Sequence, residues 1–212
     1  MKVRQTLLAL MFGVGVFSAQ AGVYEDILKG ASNNETALVI DLLRRGMDVN
    51  TVDPQGTSLL MFAARFGNVE LLEFLLNNRA SVLKQNKYGD TALMLAAIGG
   101  HLEAVRRLVA AGAPLDHPGW SPLAYASFEG HTDVIQFLAE QGADVDAQAD
   151  NGMTALMIAA RNGHFAAAKV LLAAGADPDI VDQDDQSALD LAQKSGNSQI
   201  VDLLRQAGAV ED

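Results

Sequence analysis

The amino-acid sequence predicts an all-α repeat solenoid, a stack of about six helix-turn-helix units joined by short β-hairpin connections. Segments of thirteen residues recur almost unchanged: GTSLLMFAARFGN (56–68), GDTALMLAAIGGH (89–101) and GMTALMIAARNGH (152–164). The glycines that open successive units are 33, 30 and 33 residues apart, at Gly56, Gly89, Gly119 and Gly152. A period of this length is typical of stacked supersecondary units, because one unit cannot bury its own apolar face.

Each unit is expected to contain two helices. A serine or threonine lies two positions after the opening residue, where its side chain can accept a hydrogen bond at the N-terminus of the first helix. These residues are Ser58, Thr91, Ser121, Thr154 and Ser187. Apolar residues follow at helical spacing, and a glycine then separates the first helix from the second. The inter-helix glycines are Gly67, Gly100, Gly130, Gly163 and Gly196.

The second helix of most units is followed by another glycine, which suits a left-handed C-cap. These glycines are Gly46, Gly112, Gly142, Gly175 and Gly208. Arg79 occupies the same position in the remaining unit. Left-handed backbone is unfavourable for a residue with a Cβ atom, so the sequence predicts local strain at Arg79.

The repeat divides residues 22–212 into a single domain of six units. Their approximate bounds are 22–52, 53–85, 86–115, 116–148, 149–181 and 182–212. The 30-residue interval shortens the connection APLDHPGW (113–120) by three residues. We therefore expect a truncated hairpin there, with the third and fourth units still stacked. The first unit has no recognisable opening glycine and the last is polar on its outward side, as terminal caps must be.

Residues 1–21 have the composition of a secretory signal peptide. A basic start with Lys2 and Arg4 precedes a short apolar run and the small residues Ala19-Gln20-Ala21. Its removal takes the net charge from −11 to −13, since it carries two cations and no anion. The expected location is the periplasm, with full secretion left open, and no membrane insertion is expected after cleavage. The alternative is an N-terminal anchor or a buried first helix.

Composition argues against several functions. The chain has no cysteine, which excludes a disulfide framework and a thiol nucleophile. A net charge of −11 disfavours nucleic acid and anionic membranes as partners. No nucleophile elbow, phosphate loop or dinucleotide fingerprint is present after the signal sequence. We therefore expect no catalysis and no cofactor, and the chain is expected to be monomeric by itself.

Two groups of residues could suggest a metal site. His101, His131 and His164 occupy one repeated position after the inter-helix glycine, so they are expected to lie parallel rather than converge on zinc. A hydrogen-bonding role at the helix turn is the favoured interpretation. The acidic run DPDIVDQDD (177–185) lacks the central glycine and distal glutamate of a calcium loop, which leaves weak calcium binding as a minor alternative.

The repeat strongly resembles the ankyrin repeat family over the whole of residues 22–212. The segment DNGMTALMIAARNGHFAAAKVLLAAGADPD (150–179) matches nearly every signature position. The family's Thr-Pro-Leu-His becomes Thr-Ala-Leu-Met at 91–94 and 154–157, and the proline is kept only at Pro122. The resemblance implies a non-catalytic stack that binds a protein partner through its concave face and hairpin tips.

Large apolar residues occur where this stack should be exposed, around the opening glycine and just before the inter-helix glycine. Aromatic anchors with a polar rim are the usual composition of an interface core. The candidate partner-binding residues are Arg65, Phe66, Tyr88, Ile98, Trp120, Phe128, Glu129 and Arg161. The alternative is that these side chains only fill grooves between neighbouring units. Phe62 and Tyr125 are assigned to the core instead.

The sequence thus predicts a periplasmic module that binds another protein. A sharper alternative is an inhibitor or immunity partner of a periplasmic enzyme or toxin. A further alternative comes from the resemblance alone, since similar bacterial periplasmic ankyrin proteins have been linked to peroxide defence and catalase support. An enzyme is the least favoured class.

Overall fold

The computed structural model describes residues 22–210, so the proposed signal peptide lies outside the described residues. The described chain forms twelve helices in six pairs, which confirms the all-α solenoid. The helices are α1 (22–32), α2 (Thr36–Arg44), α3 (Leu59–Arg65), α4 (Val69–Asn77), α5 (Ala92–Ile98), α6 (Leu102–Ala110), α7 (Pro122–Glu129), α8 (Thr132–Glu140), α9 (Ala155–Asn162), α10 (Phe165–Ala173), α11 (Ala188–Lys194) and α12 (Ser198–Gln206).

The predicted N-caps are confirmed, and several include a sulfur atom. The Thr154 side chain accepts from the backbone N–H of Met157, and the Thr154 N–H donates back to the Met157 sulfur at 3.4 Å. Two donors that a helix start leaves unpaired are thereby satisfied. The same pairing occurs at Ser58–Met61 and Thr91–Met94.

The predicted left-handed positions are also confirmed. All five inter-helix glycines and all five C-terminal glycines have positive φ. Arg79 has φ +65° and is therefore in the unfavourable conformation that the repeat predicted for it.

Two layers of parallel helices build the stack. The inner layer is formed by α3, α5, α7, α9 and α11, each packed against the next, and the outer layer runs from α2 to α12 through the even-numbered helices. Pairs of buried alanines, such as Ala96 and Ala97, let neighbouring inner helices approach closely. One continuous apolar core lies between the layers and reaches from Ile27 to Leu204.

The shortened connection does not interrupt the stack. Across it, α5 packs against α7 and α6 packs against α8, while Leu108 and Leu123 are both buried. The predicted continuous stack is therefore confirmed. In the described chain, β pairing at the connections is limited to isolated bridges, Val52–Ser58 and Val181–Ser187.

Candidate protein-binding surface

The ends of the inner helices are tied to the next unit by a repeated side chain. Nε2 of His101 lies 3.1 Å from the carbonyl oxygen of Arg65, and Nε2 of His131 lies 3.0 Å from that of Ile98. His164 repeats the contact with Phe128 at 2.8 Å. Each histidine thereby pairs with a carbonyl for which the helix itself provides no partner, and the Phe128 carbonyl also accepts from Nδ2 of Asn162 at 3.0 Å.

The last unit makes the same connection with a different residue. Nδ2 of Asn197 donates to the carbonyl oxygens of Ala160 (2.8 Å) and Arg161 (3.2 Å). The inter-helix glycines provide the space for these side chains: a Cβ atom on Gly67 would lie 2.6 Å from the His101 ring. The predicted hydrogen-bonding role of the three histidines is confirmed.

The hydrogen-bonded carbonyls belong to residues proposed for the binding surface. Arg65, Ile98, Phe128 and Arg161 all lie two positions before the inter-helix glycine of their units. Phe66 lies one position later, so it is not equivalent to Ile98 and Phe128. In the second unit, the residue equivalent to Ile98 and Phe128 is therefore Arg65.

The candidate residues differ in exposure. Tyr88 is 79% exposed, Phe66 39% and Phe128 36%, and Arg65 and Glu129 are exposed as well. Ile98 and Arg161 are partly buried.

Trp120 was expected to be exposed, and this expectation is wrong. It is partly buried because its ring packs against two aromatic side chains of its own unit. The centroid of the Trp120 ring lies 5.2 Å from that of Tyr125 and 5.6 Å from that of Phe128, at interplanar angles of 56° and 64°. Tilted and edge-to-face contacts of this kind are favourable between aromatic rings. We call Trp120, Tyr125 and Phe128 the aromatic cluster.

Tyr125 is the surface residue that sequence reasoning missed. It was assigned to the core, but it is only partly buried and its hydroxyl donates to Oδ1 of Asp90 in the preceding unit at 2.9 Å. Burial of the side chain, the hydrogen bond to Asp90 and the negative charge of Asp90 raise the pKa of Tyr125 to about 12. The sequence contained one indication of this exposure: tyrosine brings a polar hydroxyl to a repeat position that is Phe62 and Leu95 in the two preceding units.

A comparison of the chain with known families decides its classification. A family model described as ankyrin repeats (3 copies) matches residues 27–116, 60–149 and 146–211. The chain belongs to the ankyrin repeat family. Ankyrin repeats generally mediate protein–protein interaction. The helix pairs and inter-unit hydrogen bonds described above form an ankyrin-repeat stack.

Curated ankyrin proteins resemble part of the chain. It is 37% identical over 101 residues to the mouse Ankyrin repeat and SAM domain-containing protein 6, an alignment that covers 45% of this chain and 11% of that protein. It is 33% identical over 117 residues to the Probable 26S proteasome regulatory subunit p28 of Saccharomyces cerevisiae, covering 53% of this chain and 51% of the relative. It is 36% identical over 92 residues to human Protein phosphatase 1 regulatory subunit 27, covering 42% of this chain and 60% of the relative.

The acidic run of this ankyrin chain is used in turns. Oδ1 of Asp177 accepts the backbone N–H of Asp179, and Oδ1 of Asp182 accepts those of Asp184 and Gln186. Across residues 22–210, no cluster of three or more histidine or acidic side chains is arranged to hold a metal ion. Over the same residues, no helix combines the length and apolar character needed to cross a membrane.

Proposed function

We propose that this chain is a non-catalytic, periplasmic ankyrin-repeat module that binds a protein partner through its concave face. The observation that carries the proposal is the aromatic cluster. It presents the partly exposed Trp120 just before α7 and the Phe128 side chain on α7, whose C-terminal end is held by a hydrogen bond from the next unit. Rigid, partly exposed aromatic side chains are the residues that dominate binding energy in protein interfaces.

The inner helices limit the loss of entropy on binding. The carbonyl of Phe128 is fixed by His164, and Tyr125 is fixed through Asp90, so the cluster is ordered before a partner arrives. A preordered surface loses less conformational freedom when a complex forms, which increases affinity for a given buried area.

The periplasmic part of the proposal depends on the sequence of residues 1–21. A basic start, a short apolar run and small residues before Gly22 are the three parts of a cleavable secretory signal.

An inhibitor or immunity partner is the second candidate. Two relatives are named as regulatory subunits, one of a phosphatase and one of the proteasome, so regulation by binding occurs among similar chains. In this chain, regulation would take the form of a concave face that covers the active surface of a periplasmic enzyme or toxin.

Site-specific photo-crosslinking in the native cell tests the proposal. A photoreactive phenylalanine at Tyr88 or Phe66 should capture one protein, because both side chains are well exposed. The same residue at Gln199, exposed on α12, is the control and should capture nothing specific. Equal capture from all three positions would contradict a concave binding face.

The captured protein should then be purified and titrated with the chain. Trp120→Ala should weaken its binding by about 30-fold or more, since truncation of a central interface Trp commonly costs about 2 kcal/mol or more. Circular dichroism should show that the variant remains folded. Unchanged binding by a folded Trp120→Ala variant would show that the partner is recognised elsewhere.

A further inference from the structure

One carboxylate contacts the aromatic cluster, and two more belong to residues close to it in space or in sequence. Asp90 accepts the Tyr125 hydroxyl with Oδ1 and the side-chain amide of Asn86 with Oδ2, both at 2.9 Å. Asp150 lies beside the connection that precedes α7: a Cβ atom on Gly119, the residue before Trp120, would be 3.7 Å from its Oδ2. Glu129 directly follows Phe128 and is exposed.

These carboxylates have no cationic partner in the described part of the chain. The salt bridges found there join Arg45 to Asp41 and Arg107 to Glu73 and Glu103. Arg161 is the cation in the next unit at the position equivalent to Phe128, and its Nη1 lies 3.4 Å from the Met153 sulfur. Asp90, Asp150 and Glu129 are therefore not neutralised by a salt bridge within residues 22–210.

In the outer layer, a guanidinium group lies over each of two aromatic rings. Cζ of Arg106 lies 4.4 Å from the ring centroid of Phe137, and Cζ of Arg44 lies 5.7 Å from that of Phe74. Within residues 22–210, no arginine or lysine lies over a ring of the aromatic cluster in this way. Trp is nevertheless the best of the aromatic side chains for a cation, because its ring face is the most negative.

Two of the connections between later units, which we call hairpins 141–154 and 174–187, are strongly acidic. Segments 141–154 and 174–187 hold eight aspartates and no lysine, arginine or histidine. The equivalent segment 78–91 holds three cations and one aspartate. Asp150, beside Gly119, belongs to the first of these acidic segments, and Oδ1 of Asp146 in the same segment accepts the backbone N–H of Asp177 in the second at 2.9 Å. The two acidic segments are therefore adjacent, and the first reaches the connection that carries Trp120.

We propose that the aromatic cluster receives an arginine or lysine side chain of the protein partner, and that the partner segment continues with basic residues toward hairpins 141–154 and 174–187. This proposal rests on the proposed function, since it names the kind of protein segment that the concave face binds. The cation would lie on the exposed side of the Trp120 ring, near Asp150, Asp90 and Glu129. The basic residues that follow would pair with the hairpin carboxylates.

A pair of synthetic peptides tests the proposal without knowledge of the partner. One peptide alternates arginine with glycine, and the other has the neutral analogue citrulline in place of each arginine. Trp120 is the one tryptophan of the sequence, so intrinsic fluorescence reports directly on the cluster. The arginine peptide should change this fluorescence with saturation, and it should bind the purified protein at least tenfold more tightly than the citrulline peptide does.

Variants compared by calorimetry separate a specific site from general charge attraction. Trp120→Leu should lower the affinity for the arginine peptide about tenfold, because a desolvated cation–π contact is lost. Asp150→Asn should weaken it about threefold. Asp202→Asn removes the same charge from an exposed position on α12 and should leave binding unchanged. If Trp120→Leu does not fold, the comparison of Asp150→Asn with Asp202→Asn still decides.

Three results would overturn the proposal: no saturable binding of the arginine peptide, equal binding of the two peptides, or equal weakening by Asp150→Asn and Asp202→Asn. None of these results would contradict the proposed function, which is tested separately by crosslinking from Tyr88 and Phe66. Crosslinks confined to those positions, together with equal peptide binding, would keep the concave binding face and reject a basic partner.

Discussion

Nε2 of His164 lies 2.8 Å from the carbonyl oxygen of Phe128, in the preceding unit of the stack. The contact pairs a carbonyl near the C-terminus of α7, an inner helix, with the side chain at the N-cap of α10, the outer helix of the next unit. The same contact recurs at His101 and His131, so it connects neighbouring units along the stack rather than serving one site.

Replacement of this histidine should therefore lower stability without changing the fold. His164→Ala should reduce the free energy of unfolding by about 1 kcal/mol, the usual net contribution of one hydrogen bond. His164→Asn should recover part of the loss, because Asn197 makes the same connection in the last unit. Urea unfolding measures both variants, and equal losses for Ala and Asn would show that ring packing matters more than the hydrogen bond.

The strained backbone at Arg79 offers a stabilising substitution. Arg79→Gly should increase the free energy of unfolding by about 1 kcal/mol, because glycine adopts φ +65° without a Cβ clash. The gain should appear as a higher urea midpoint with the slope unchanged. Arg45→Gly is the matched control, since Arg45 has φ −82° and gains no such relief. A lowered midpoint for Arg79→Gly would reveal stabilising contacts of the arginine side chain.

The hydroxyl of Ser127 is buried without a hydrogen-bond partner in the described structure. The equivalent residues of three other units are alanines: Ala64, Ala97 and Ala160. Ser127→Ala should therefore increase the free energy of unfolding by about 1 kcal/mol, because it removes an unpaired buried polar group. Ser121→Ala, in the same helix, should decrease it by about 1 kcal/mol through loss of an N-cap. Thermal unfolding of both variants checks the opposite signs.

The raised pKa of Tyr125 predicts a dependence of stability on alkaline pH. Its folded value of about 12 exceeds the ordinary 10.0, so the folded state holds the proton more tightly than the unfolded state does. The resulting contribution is fully present below pH 10 and is lost as the pH rises toward 12. Tyr125→Phe should remove this part of the slope, as measured by urea unfolding across that range. An identical slope in the variant would contradict a role for Tyr125.

Export can be checked on the protein itself. N-terminal sequencing of the mature chain should begin at Gly22, because Ala19-Gln20-Ala21 presents small residues at the cleavage site. Fractionation should recover this species from the periplasm. A dominant cytoplasmic species that starts at Met1 would contradict the proposed location.

Much of the fold could be predicted from the sequence because its rules are local. A serine or threonine caps the helix that follows it, and a glycine adopts left-handed backbone where helices end, whatever lies further away. Repetition of these signals across units made the solenoid evident, and even the strain at Arg79 followed from its place in the repeat.

The tertiary structure decided how the side chains of the candidate surface are arranged. The sequence correctly predicted that Phe66, Tyr88 and Phe128 are exposed, but it could not show that Trp120 packs against Tyr125 and Phe128. Nor could it show that Asp90 receives the Tyr125 hydroxyl from 35 residues away. The physical reason is that side-chain exposure on this face depends on the spacing and orientation of neighbouring units, and a local period of apolar residues contains neither.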